Sequence, residues 1–177
     1  MTYTYHYNSP LGGITMASDG TALTGLWFDG QKYFADTVLE EHIEKSLPIF
    51  DDVSKWLDIY FGGKEPDFMP LVTFETTPFR KAVWDILVTI PYGKTMTYGE
   101  IADIIAGQKG IDKMSAQAVG GAVGHNLVSI IIPCHRVVGT GGSLTGYAGG
   151  IDKKIQLLKL EKTDMSGLFV PKKGTAL

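Results

Sequence analysis

The chain has 177 residues, 44% apolar and 20% charged, which suffices for one large domain or two small ones and excludes disorder of the whole. No apolar run approaches the roughly 20 residues that span a bilayer, and MTYTYHYNSPLGG lacks the basic start and apolar stretch of a secretion signal, so a soluble, cytoplasmic protein is expected. The net charge of −3 hides an asymmetry: residues 1–74 carry four Lys against eleven acids, net −7, while residues 75–177 carry twelve Lys or Arg against eight acids, net +4. A +4 half permits a nucleic-acid partner without establishing one.

The fold class expected is α/β (α+β), in two units. Residues 3–7, 12–18 and 22–28 are short, rich in Tyr, Thr, Ile, Leu and Trp, and separated by Asn8-Ser9-Pro10 and Asp19-Gly20, the pattern of a small antiparallel sheet. Phe50, Val53, Trp56 or Leu57, and Tyr60 then recur at helical spacing until Gly62-Gly63, so a helix packs on that sheet. This amino-terminal α/β domain, 1–74, reads as structural, with Lys64–Pro70 as the linker.

The second unit, 75–163, reads as mainly helical. Thr77 as N-cap and Pro78 at the first position open a helix carrying Phe79, Val83, Ile86, Leu87 and Ile90 on one face, ended by Pro91-Tyr92-Gly93. Thr97 to Glu100 has capping-box spacing before Ile101, and Ser115 opens a second short helix through Val123. The pair is compatible with a helix-turn-helix, although its turn is long. Ala118, Gly120, Gly121, Ala122 and Gly124 leave one face of the second helix nearly bare, which fits either close helix packing or the approach of a nucleic-acid backbone. Val128–Ile132 reads as a buried strand, with the only cysteine, Cys134, just past its end. A lone thiol is commonly an inert core residue; the adjacent His135 and Arg136 favour the nucleophilic thiolate instead. A single cysteine forms no internal disulfide, and His6, His42, His125 and His135 are too scattered for a zinc-finger spacing, so no metal or other cofactor is expected.

The run Ile132-Pro133-Cys134-His135-Arg136-Val137, with Ala118-Val119-Gly120-Gly121-Ala122 and Asn126 before it and Gly146-Tyr147-Ala148-Gly149-Gly150 after it, resembles the O6-alkylguanine-DNA alkyltransferase family. The likeness extends to Thr77-Pro78-Phe79, Tyr98, Lys153 and Leu157–Glu161, about 85 residues in several spaced motifs. It implies DNA repair by a single, irreversible transfer of an alkyl group from O6 of guanine, and less well O4 of thymine, in double-stranded DNA. Cys134 matches the acceptor, His135 the residue that takes the thiol proton through a water, Glu161 the carboxylate that orients it, and Asn126 a hinge. Tyr98 matches the tyrosine that rotates the nucleotide and donates to guanine N3. Ser115, Gln117, Ala118, Gly121 and Arg136 match positions facing DNA, and Tyr147, Ala148 and Gly149 the loop over the flipped base. The resemblance further implies a monomer with no obligate protein partner and no membrane association.

Two positions depart from the pattern. Gln117 stands where most relatives carry an arginine that fills the gap left by the flipped base, and Leu127 stands where a proline often follows the hinge asparagine. Other readings remain: a thiol hydrolase would use the same residues with turnover, a lesion-binding relative would lack the thiol, and a transcription regulator would need sequence preference. Residues 164–177 form a Lys-containing tail of unassigned role.

Overall fold

Tyr3, Tyr5 and Tyr7 alternate along the first segment, the period of an extended chain with one covered face. The computed structural model, which describes residues 1–172, makes this strand β1 (Tyr3–Ser9) and pairs it antiparallel with β2 (Gly12–Ser18), itself antiparallel to β3 (Leu23–Phe28). A two-residue strand β4 (Ile43–Glu44) lies parallel to β1, giving the order β3-β2-β1-β4; a segment that short has no period for a sequence to show. Helix α1 (Pro48–Phe61) buries Ile49, Phe50, Val53, Trp56, Leu57 and Tyr60. Phe50 stacks on Tyr5 at 5.7 Å, Phe61 on Tyr7 at 6.5 Å, and the Tyr7 hydroxyl donates to Asp58 at 2.6 Å, so α1 covers the tyrosine face of the sheet.

Lys64–Pro70 does not act as a linker between units. The chain after it runs along the sheet edge, with Leu23 N donating to Leu71 O and Thr73 N to Leu23 O, both at 2.9 Å. Prolines suit such an edge as well as they suit a linker. The first compact unit comprises Met1–Glu75 together with Leu127–Ile131; the second comprises Thr76–Asn126 and the chain from Ile132 onward.

In the second unit, α2 (Pro78–Leu87) starts where Thr77 Oγ1 accepts from Arg80 N. It stops short of Ile90, because the last residues tighten into a turn. Strand β5 (Met96–Thr97) leads into α3 (Tyr98–Lys109), capped by Thr97 accepting from Glu100 N. Gly110 ends α3 in the left-handed conformation, and α4 (Ala116–Gly124) begins under a Ser115 cap. The Trp84 indole N–H donates to Ala122 O at 2.8 Å and ties α2 to α4. Strand β6 (Val137–Val138) pairs parallel with β5, and α5 (Ile151–Leu160) follows.

The expected strand Val128–Ile132 is not formed. Val128 makes one parallel bridge with Leu26; the chain then turns, with Ile131 N donating to Ser129 O and Ile130 at φ 71°. All five residues are buried, so the apolar run was read correctly as interior; continuous burial simply does not distinguish a strand from a buried turn. Leu26 N and O bond Leu127 and Ser129, which anchors this stretch in the first unit. Residues 164–172 are placed, whereas the rest of the expected tail, 173–177, lies outside the described residues.

Candidate active site

The buried turn delivers the chain to Pro133 and a short 3-10 turn, Cys134–Arg136, at the foot of β6. Cys134 is 3% exposed, and its N–H donates to Ile132 O at 2.8 Å. Asn126, one residue beyond the α4 cap, donates from Nδ2 to Ile132 O at 2.7 Å and also hydrogen-bonds the thiol. It thereby braces the peptide just before the sulfur. Burial pushes the thiol pKa up; the Asn126 hydrogen bond and the Lys154 charge act the other way without overcoming it. The resting side chain is a neutral thiol.

Next to it, the completely buried His135 bonds through Nε2 to Glu161 Oε2 at 2.5 Å. The other oxygen, Glu161 Oε1, accepts from Arg136 Nε at 2.7 Å and from Gly93 N at 3.1 Å. Burial alone would raise the Glu161 pKa; the hydrogen bonds from His135 and Arg136, together with the Arg136 charge, outweigh that and hold it at about 2. Burial lowers the His135 pKa despite Glu161, so the imidazole is neutral at rest. An ionised carboxylate accepts only, so Nε2 carries the proton and Nδ1 carries the lone pair. The arrangement is a neutral base on the residue next to the thiol, oriented by a fixed carboxylate.

Sequence reasoning missed Lys154, although it lies at helical spacing before the buried Leu157 and Leu158. It is wholly buried, and its ammonium donates to Val137 O at 2.5 Å and Thr145 O at 2.8 Å. Desolvation lowers its pKa to about 8, and the Cys134 thiolate, once formed, opposes that shift. A cation so placed favours the thiolate of Cys134. Tyr98, at the start of α3, donates its hydroxyl to Thr145 O and Gly146 O at 3.2 Å. Burial raises its pKa, so it remains a donor. Buried Tyr147 stands edge-on to His135 with ring centres 6.5 Å apart, followed by the half-buried Ala148 and Gly149.

Ser115, Gln117, Ala118 and Gly121 share the exposed side of α4, while Val119, Ala122 and Val123 face inward. A Cβ at Gly121 would meet nothing within 4 Å, so this glycine answers no need of internal packing. Arg136 corrects the sequence expectation of a DNA-facing cation. Its guanidinium is turned to Glu161 and Ile90 O and lies over the Tyr92 ring, with 11% of the side chain exposed. The fixed carboxylate of Glu161 claims it. Among the described residues no three His, Cys, Asp or Glu side chains converge as metal ligands.

Fold and site define a protein with one buried thiol next to a carboxylate-bound histidine, and a helix with an exposed, small-residue face. The chain belongs to the 6-O-methylguanine DNA methyltransferase family: profiles of its ribonuclease-like domain and its DNA-binding domain match residues 1–73 and 78–163. The methylated-DNA–protein-cysteine methyltransferase of Mycobacterium tuberculosis is 44% identical over 161 residues, 89% of this chain and 93% of the relative. The inducible enzyme of that name from Bacillus subtilis is 37% identical, covering 96% and 90%. Among solved structures, Mycobacterium tuberculosis OGT in complex with DNA superposes with a TM-score of 0.79 at 41% identity, covering 90% of this chain and 92% of that one.

Proposed function

We propose that this chain repairs DNA by moving the alkyl group of O6-alkylguanine onto Cys134, once per molecule. The observation that carries the reading is the buried His135–Glu161 pair next to the only thiol in the chain. Proton transfer from a free cysteine to a free imidazole is already uphill by about 3 kcal/mol, and burial of both groups widens the gap. The thiolate is therefore made at the point of reaction: His135 Nδ1 takes the proton through an intervening water, Glu161 stabilises the imidazolium, and Lys154 and Asn126 stabilise the sulfur anion.

The thiolate then attacks the alkyl carbon in line. A C–S bond forms, the C–O6 bond breaks, and its electron pair leaves on guanine, which takes up the proton that His135 received from the thiol. For the carbon to reach a buried thiol the nucleotide must leave the stack, at a cost of a few kcal/mol. Ser115, Gln117, Ala118 and Gly121 present a face on which a DNA strand can lie close, and the loop of Tyr147, Ala148 and Gly149 covers the extruded base. Tyr98 exchanges its carbonyl partners for guanine N3. A thioether is stable and is not a leaving group for water, so the reaction ends there.

The protein is read as a cytoplasmic monomer working on double-stranded DNA; no described helix is long and apolar enough to cross a membrane. Mass spectrometry after mixing with excess duplex bearing one O6-methylguanine tests the function. One methyl per chain, on Cys134 and absent from Cys134→Ala, is expected. Binding without mass gain would make this a lesion-recognition protein, and repeated turnover a hydrolase.

A further inference from the structure

The segment after α5, which the sequence leaves as a tail, is built into the loop that precedes Tyr147. Ser143 forms a parallel bridge with Phe169: Leu144 N donates to Phe169 O at 2.7 Å, and Phe169 N to Gly142 O at 3.1 Å. Gly142 lies so near this segment that a Cβ would stand 1.9 Å from Gly167 O, and its φ of 94° also requires glycine. Beneath the backbone contact, Met165 and Leu168 pack on the cluster of Val138, Leu144 and Leu158. Further along the same loop, Tyr98 donates to Thr145 O and Gly146 O, and Lys154 donates to Thr145 O. Peptides 142–146 are thus held at both ends of the stretch, immediately before the residue that stands against His135.

We propose that Met165–Phe169 is a positioning strap for the alkyl-transfer site: it sets where the Tyr147–Gly149 loop stands, and so the rate of transfer from an extruded base, without itself contacting DNA. The inference rests on the reading of Cys134 as acceptor. Tyr98 gives up Thr145 O and Gly146 O when it turns to a base, and at that moment Lys154 and the strap are what keep the loop in place. Misplacing a group that covers a reacting base by about 1 Å costs on the order of 100-fold in rate.

The test compares the intact chain with Phe169→Pro, which removes the N–H given to Gly142, and Phe169→Leu, which keeps it. Phe169 is half exposed, so neither change opens the core. Transfer is timed by methyl gain at saturating duplex carrying O6-methylguanine, and affinity for the same duplex is measured separately. Phe169→Pro is expected to lose about 10- to 100-fold in rate with affinity unchanged, while Phe169→Leu transfers as the intact chain does. A rate for Phe169→Pro within about twofold of the intact chain, or an equal loss in affinity, overturns the strap. A chain ending at Asp164 supplies the second variant, expected to be slower still and less stable; normal transfer by it also overturns the proposal. If the intact chain itself gains no methyl, the function fails first and the strap with it, an outcome distinct from variants that are merely unimpaired.

Discussion

Two histidine–carboxylate pairs of similar geometry occupy opposite settings in this molecule. His6 bonds Asp29 at 2.7 Å on the first sheet with both side chains about two-fifths exposed, and Thr15 donates to the same carboxylate. His135 bonds Glu161 at 2.5 Å with both side chains fully buried, and Arg136 and Gly93 complete the carboxylate's partners. Water screens the first pair, so it joins strands and does little else. In the second, low polarisability makes each charge matter, and the pair fixes a tautomer next to a thiol. Burial, not residue identity, separates a surface contact from an activating group.

The comparison breaks hardest at Glu161. Glu161→Gln leaves Arg136 without its counter-charge and is expected to cost about 3–5 kcal/mol of stability and on the order of 100-fold or more in transfer rate. Because the folded pKa of Glu161 is about 2 against an ordinary 4.5, its stabilisation is complete above pH 4.5 and drains away as the pH falls toward 2. Denaturant unfolding of both proteins from pH 7 downward therefore shows their difference shrinking in acid. A gap that stays constant with pH assigns the stabilisation to some other group.

Changes on the exposed face of α4 come next. Gln117→Arg adds a cation where DNA is expected, so affinity should rise and the logarithmic salt dependence steepen by about 0.9. Equal affinities at two salt concentrations remove Gln117 from the interface. For Gly121→Ala the two functions of the helix pull apart: alanine stabilises the helix by about 0.5–1 kcal/mol, since its methyl enters open space, while duplex binding weakens. A variant that is more stable and binds DNA normally shows that the bare face serves no ligand. The smallest effect belongs to His6→Ala, expected to shift stability by less than about 1 kcal/mol and to leave transfer unchanged. Slower transfer there would mean that the exposed pair is more than a strand tie.

Much of the fold was legible locally. The caps at Thr77, Thr97 and Ser115 accept the N–H three residues on, as their side chains announced, and Phe50, Val53, Trp56, Leu57 and Tyr60 are buried on α1 as their spacing required. Cys134 and His135 were visible from their adjacency past a buried run, whereas Glu161 was visible only through resemblance. The signals that failed were the non-local ones. Val128–Ile132 was correctly read as buried but not as a turn, Arg136 was placed among the DNA-facing positions without its tie to Glu161, and Lys154 was passed over because lysine is ordinarily exposed.

By itself the sequence determined what depends on neighbours a few residues apart: helix starts, strand period, the small face of α4 and the presence of one thiol. Tertiary structure alone decided which distant residues meet, bringing Glu161 to His135 and Lys154 to Thr145 in a dry site, and Phe169 to Ser143 at its margin. Hydrogen-bonding and charge energies in that site depend on how much water packing excludes, and packing is a property of the whole chain.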